Sequence, residues 1–310
     1  MKRLLTVMIL SCLAAVCAAP APAQEGRKPV VAVEKLADGL WMLRGGGGNV
    51  VLSGGPDGLL FVDAQQGAYT RRLLEVADSL TGSRHVRLLV NTHYHGDHTG
   101  GDSLMAAAGA AIVAHDNVRR RMSVAQFSTT FSETIPAEPR QAWPIVTFGD
   151  SVTLHLNGRD LRVYHLPPGH TDGDAVVWIP SADVIHMGDT FFNGYYPVID
   201  VSAGGGINGM IREVNLALRW IGPATKIVPG HGPLADRAAL LRYRDMLMTV
   251  RDRVTALVRE GKTADEIMAA KPLADLDATW GQGFMKPDFF LKVVTGDLMR
   301  FKPVPRPRRR

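Results

Sequence analysis

The sequence predicts an α/β fold, and three observations predict it. Short apolar runs recur along the chain, and several end in a glycine-containing turn that presents a histidine or an aspartate. Segments with apolar residues at helical spacing lie between and after these runs. The chain of 310 residues is also long enough to bury one large core.

From Leu40 to Asp63, apolar stretches alternate with Gly45 to Gly48 and with Gly54-Gly55-Pro56-Asp57-Gly58, the pattern of strands joined by hairpin turns. Tyr69 to Leu80 reads as a helix. Val86 to Asn91 is an apolar run with the character of a buried strand. It leads into Thr92-His93-Tyr94-His95-Gly96-Asp97-His98-Thr99-Gly100, where four candidate ligands fall within six residues. They can converge only on a sharp strand-to-helix turn. Gly96, Gly100 and Gly101 permit that turn, and Asp102 to Ala108 follows as a helix.

A second strand-rich half begins near Ile145. Leu161 to Leu166 is followed by Pro167-Pro168-Gly169-His170, and Val184-Ile185-His186-Met187-Gly188 by Asp189. Lys226-Ile227-Val228 is followed by Pro229-Gly230-His231-Gly232. Each candidate therefore lies just beyond a strand, where open sheets carry functional loops, so residues distant in sequence can meet at one rim. The two halves supply paired sheets and outer helices. Asp236 to Lys262 carries Leu240, Leu247, Val250, Val254 and Leu257 at helical spacing with Asp236 as N-cap, and Thr263-Ala264-Asp265-Glu266 reads as a capping box. The segment through Arg300 reads as a peripheral extension.

The order His-x-His-x-Asp-His, Gly-His-Thr, Gly-Asp-Thr and Pro-Gly-His-Gly resembles the metallo-β-lactamase superfamily of hydrolases, over about Val30 to Pro233. The resemblance implies a four-layer αββα sandwich with two metals in a shallow cleft at one edge of the sheets. It implies one metal on His93, His95 and His170, another on Asp97, His98 and His231, and Asp189 as the bridge. The hydrolase domain is drawn over 30–260, with 261–310 a helical extension and basic tail. Imidazole and carboxylate donors suit zinc, with iron or manganese as alternatives. Metal-bound hydroxide is the expected nucleophile and Asp97 its orienting group. Two dications facing Asp97, Asp189 and hydroxide leave about one net positive charge, so an anionic small-molecule substrate is expected.

The expected reaction is hydrolysis of an acyl bond, with a β-lactam C–N bond as a candidate. Aspartate at position 189, where many zinc β-lactamases carry cysteine, resembles glyoxalase II and the lactonases instead, so lactone or thioester hydrolysis is the alternative. Iron-dependent sulfur oxygenases of the same fold form another. Asn193, Tyr195 and Tyr196 read as an exposed set able to bind an oxyanion or leaving group. Phe127, Phe131 and Trp143 read as an apolar wall of the cleft or as core, and Gly45 to Gly48 with Asn49 as space beside the metals or as a tight hairpin. Ser202 to Gly206 reads as a flexible rim. His85, His115, His155 and His186 lie outside the ligand patterns, and structural or surface roles are expected for them.

Lys2, Arg3, the apolar stretch Leu4 to Val16 and Ala21-Pro22-Ala23 read as an export signal cleaved after Ala23, which places the protein in the periplasm or outside the cell without a stable transmembrane anchor. Both cysteines, Cys12 and Cys17, fall in that signal, which excludes disulfides and thiolate ligands from the mature chain. The formal charge of +5 is concentrated in Lys302, Arg306, Arg308, Arg309 and Arg310. Prolines interrupt that tail, so it reads as solvated chain rather than a specific nucleic-acid surface.

Overall fold

The computed structural model describes residues 29–300; the expected signal, 1–23, and the basic tail from 301 lie outside the described residues. The strands are β1 (Ala32–Ala37), β2 (Leu40–Arg44), β3 (Val50–Gly55), β4 (Gly58–Val62), β5 (Val86–Val90), β6 (Ala111–His115), β7 (Gln126–Ser128), β8 (Glu133–Ile135), β9 (Val146–Phe148), β10 (Ser151–Leu156), β11 (Arg159–His165), β12 (Ala175–Ile179), β13 (Val184–His186) and β14 (Lys226–Val228). One sheet has the order β1-β2-β3-β4-β5-β6-β9 and a second has β10-β11-β12-β13-β14, while β7 and β8 form a separate hairpin. The first sheet is antiparallel through β4 and parallel from β4 to β9; the second is antiparallel apart from β13 and β14.

Strand periodicity explains the layers. In β4, Leu60 and Val62 face the second sheet and pack with Leu161, Val163, Val177 and Val228, whereas Leu59 and Phe61 point the other way. That outer face is covered by Leu73, Val76 and Ala77 of the helix Gly67–Thr81 and by Met105 of the helix Asp102–Ala107. On the far side, Val176, Ile185 and Ile227 of the second sheet pack under the helices Ile207–Ala217 and Arg237–Arg259. Three apolar interfaces between four layers are the αββα sandwich. Each fully buried Val, Leu or Phe in them contributes about 1.5–3 kcal/mol.

The helix boundaries follow the expected chemistry. Asp236 caps Arg237–Arg259 by accepting from the Ala239 amide, and Thr263 with Glu266 forms a reciprocal capping box on Ala264–Ala270. Two expectations are corrected. Val146–Phe148 does not open the second half but pairs parallel with β6 in the first sheet, so the second sheet begins at Ser151. The segment after Arg259 is not peripheral. Ile267, Leu273, Met285, Phe290 and Val294 are buried in the outer core of the second sheet, where the helix Pro287–Arg300 lies against Arg237–Arg259. Among the described residues, no helix is long and apolar enough to cross a membrane.

Candidate metal centre

The loops after β5, β11, β13 and β14 meet at one edge of the sandwich, bringing together seven side chains from four separate stretches of sequence. They form two groups: His93, His95, His170 and Asp189, and Asp97, His98 and His231. In each group the donor atoms lie within 4.8 Å of one another. Asp189 stands between them. Its Oδ2 is 3.5 Å from His170 Nε2 and 3.9 Å from His93 Nε2, and its Oδ1 is 3.0 Å from His98 Nε2 and 3.4 Å from His231 Nε2. Asp97 Oδ2 lies 3.2 Å from His231 Nε2 and 3.7 Å from His98 Nε2.

The outward ring nitrogens set the tautomers. His170 Nδ1 donates to the Val198 carbonyl at 2.8 Å, and His95 Nε2 to Asp200 at 3.0 Å. The inward nitrogens, His170 Nε2 and His95 Nδ1, then carry lone pairs and face each other at 2.8 Å. His93 Nδ1 donates to Thr92 Oγ1, which itself donates to Asp63, leaving Nε2 inward. His93 Nε2 is buried without a hydrogen-bond partner. Leaving such an atom unpaired costs about 1–3 kcal/mol, and a cation among converging lone pairs removes that cost. The donor set therefore fits a metal, with nitrogen and oxygen ligands suited to zinc.

A family model described as the metallo-beta-lactamase superfamily matches residues 43–234. The chain belongs to the metallo-beta-lactamase superfamily. As a member it is a metal-dependent hydrolase, and its histidine–aspartate cluster is one that could hold metal. It is 24% identical to a metallo-beta-lactamase type 2 of Bacillus cereus over 191 residues, 61% of this chain and 69% of the relative. It is 27% identical to a hydroxyacylglutathione hydrolase of Nitrosococcus oceani over 179 residues, 57% of this chain and 59% of that one. A solved metallo-beta-lactamase from Pontibacter korlensis superposes with a TM-score of 0.58 at 19% identity, covering 71% of this chain and 99% of its own, which shows the shared fold.

Within this superfamily centre, three carboxylates that sequence reasoning missed hold the ligands in place. Asp63, at the end of β4, accepts from the Thr92 amide, the Thr92 hydroxyl and His98 Nδ1, each at 2.8 Å. Asp200 accepts from His95 and, at 2.5 Å, from the Tyr94 hydroxyl. Asp174 accepts from the His170 and Thr171 amides and the Thr171 hydroxyl. Asp63 was legible in principle, because it follows the apolar run Leu59 to Val62 just as the ligands follow theirs. Replacing Asp63 with alanine is expected to weaken metal binding about 10–100-fold, since His98 loses its orienting partner and so does Thr92, which holds His93. Chelator competition measures this, and unchanged metal affinity contradicts the role.

Electrostatics divide the groups. Burial, reinforced by the neighbouring rings, keeps His93 far below the ordinary histidine range, and burial likewise lowers His170, so both are neutral and ready to ligate. Burial opposes charge on His231 as well, but Asp189 and Asp97 outweigh it and hold its pKa at about 9; the same carboxylates hold His98 well above its usual value. Burial opposes ionisation of Asp97, yet charge on His98 and the hydrogen bond from His231 bring it down to about 2. In the metal-free protein, protons thus occupy the second group. A metal must displace them, so affinity there is expected to rise by about tenfold per pH unit for each proton released, up to about pH 9. Metal titrations across that range check the sign, and a flat profile contradicts it. Without metal, the stabilisation from protonated His231 is complete below about pH 6.5 and is lost as pH rises through about 9.

The glycine run Gly45 to Gly48 is not a tight hairpin. It packs on the ligand loops: the Gly48 amide donates to the Asp97 carbonyl at 3.0 Å, and a Cβ on Gly48 would collide with the His98 ring. Asn49 ties this loop to the His231 loop through the carbonyls of Pro229 and Gly232.

A cleft of about 690 Å³ opens over His95, Asp97, Asp189 and His231. Tyr195 and Tyr196 line it. Tyr196 is only 1% exposed, its ring stacks on Phe290 and its hydroxyl donates to Asp277, which corrects the reading of it as an exposed hydrogen-bonding group. Asn193 is not among the lining residues; its amide donates to the Pro233 carbonyl. Phe131 lines the cleft, whereas Phe127 does not, and Trp143 packs beside Tyr94 and Met122 with its indole N–H on the Glu138 carbonyl. His115 stacks on His165, a histidine overlooked in the sequence, at 3.6 Å between ring centroids. His186 is buried between the Asn49 carbonyl and the Gly188 amide.

Proposed function

We propose that this protein is an exported dinuclear zinc hydrolase that cleaves an acyl bond, with a β-lactam among its candidate substrates. The observation that carries the reading is Asp189, whose carboxylate reaches both ligand groups from the floor of an open cleft. His93, His95 and His170 would hold one ion and Asp97, His98 and His231 the other, with Asp189 shared. Bound ions of this kind supply Lewis acidity and bring the pKa of water from about 16 towards 7. Asp97, ionised and exposed to the cleft, can accept a hydrogen bond from the attacking water and fix its direction. His95, His170 and His98 are each tethered on the outer side, so the rings cannot swing as charge shifts during reaction. Positive charge at the floor favours a reacting end that is, or becomes, anionic.

The second reading is a thioester or lactone hydrolase. Aspartate at position 189 and the likeness to a hydroxyacylglutathione hydrolase support it. Zinc-loaded protein lacking 1–23 separates the two when tested on a chromogenic cephalosporin, acyl lactones and a glutathione thioester, with His93→Ala as background. Turnover of the cephalosporin supports lactam opening; turnover of the others alone removes it. One iron per chain with oxygen consumption would replace hydrolysis by oxygenase chemistry. Export rests on the signal-like first 23 residues. Recovery from the periplasm or medium of a chain beginning at Gln24 supports it.

A further inference from the structure

We propose that Phe131 and Phe284 form an aromatic subsite at the mouth of the metal cleft, which takes the uncharged aryl or alkyl tail of the substrate. The proposal rests on the acyl-hydrolase reading only for what lies at the metal end. The cleft is far larger than two ions and a water require, and its outer wall is built by two segments remote in sequence. The β7–β8 hairpin supplies Phe131 and Ile135, and the segment Gln282 to Met285 supplies Phe284. The second segment lies beyond the 43–234 stretch that matches the superfamily, whereas the hairpin lies within it.

Phe131 is 37% exposed and Phe284 is 78% exposed, yet their ring centroids are only 6.0 Å apart. Two large rings held near each other in water sacrifice burial that an apolar guest restores. The backbone around Phe131 is fixed. The Thr129 amide donates to Ser202 Oγ, the Thr130 hydroxyl to the Ile199 carbonyl and the Phe131 amide to Ser128 Oγ. Phe289 stands 6.0 Å behind Phe131, and Gly283 lies so close to the Tyr195 ring that a Cβ there would approach Cδ1 to 2.6 Å.

Charge narrows the ligand class. Among the described residues lining the cleft there is no lysine or arginine, and Glu133 is the charged side chain outside the metal ligands. A tail carrying its own carboxylate would meet Glu133 with no compensating cation, whereas an uncharged tail loses nothing. The positive end of the cleft is its floor, so the substrate is polar at the scissile bond and apolar beyond it.

Hydroxamates test this, because they bind zinc without being hydrolysed. Calorimetry on zinc-loaded protein should show 4-phenylbutanohydroxamate binding roughly thirtyfold more tightly than acetohydroxamate, the value of burying about one phenyl group. The analogue with a terminal carboxylate in place of the phenyl should bind no more tightly than acetohydroxamate. In the double variant Phe131→Ala, Phe284→Ala, the phenyl preference should fall to about threefold or less, with zinc content and thermal melting as in the parent. An equal preference in the double variant, or none in the parent, overturns the subsite. Esters with the same tails separate the two readings: tail-selective binding without any turnover rejects the acyl hydrolase and leaves the subsite standing, and turnover without tail selectivity does the reverse.

Discussion

Replacing Asp189 with serine is expected to lower hydrolysis by about three orders of magnitude or more while one equivalent of metal is retained. Among the described residues of the two groups, Asp189 is the one whose two carboxylate oxygens face both groups, Oδ1 towards His98 and Oδ2 towards His170. Serine keeps a small polar atom at the site but cannot span it. His93, His95 and His170 still converge, with His95 and His170 anchored by Asp200 and the Val198 carbonyl, and they hold their ion. His98 and His231 lose the charge that keeps them protonated in the metal-free state, so their proton affinity falls along with their affinity for metal. Metal analysis by mass spectrometry beside steady-state kinetics separates these effects. Full turnover with two metals retained means that Asp189 does not bridge.

The second large effect is expected from Gly230→Ala. A Cβ at this position would collide with Asp189 Oδ1 and come within 2.6 Å of the Gly188 backbone. The Gly230 amide also donates to the Gly188 carbonyl at 2.7 Å, so the two ligand loops are stitched together where the methyl must go. Relief requires the His231 loop to move off β13, destabilising the fold by about 1–3 kcal/mol and displacing His231 or Asp189. Loss of the second metal and at least about a hundredfold loss of activity should follow. Gly149→Ala is the control, because nothing lies within 4 Å of its added carbon and its backbone is not in the left-handed region. Denaturant unfolding of both variants decides the matter: equal stability and equal metal content would show that the loops are looser than their packing implies.

Much of the centre was legible because its ligands share one local signal, an apolar run broken by glycine with a histidine or aspartate at the break. His93, His95, Asp97, His98, His170, Asp189 and His231 all carry it, and the structure brings all seven to one edge. Residues that act through another side chain carry no such signal. Asp200 and Asp174 resemble ordinary loop aspartates, and what makes them functional is a hydrogen bond to a ligand residue far away or in the next turn. Sheet membership was hidden for a similar reason. Val146–Phe148 is three residues long, and its partner β6 lies some thirty residues earlier, across the β7–β8 hairpin. Local pattern cannot choose between sheets when register is set by non-local pairing. The cleft wall was illegible at its C-terminal half, since Phe284 acquires meaning only when the chain folds back to set it beside Phe131.

Two cations sharing Asp189 are the core of the proposed chemistry. Anomalous diffraction at the zinc edge from crystals of the zinc-loaded protein tests this most directly. Two peaks are expected, one contacted by His93, His95 and His170, the other by Asp97, His98 and His231, with Asp189 on both. A single peak, or peaks remote from these residues, would contradict it.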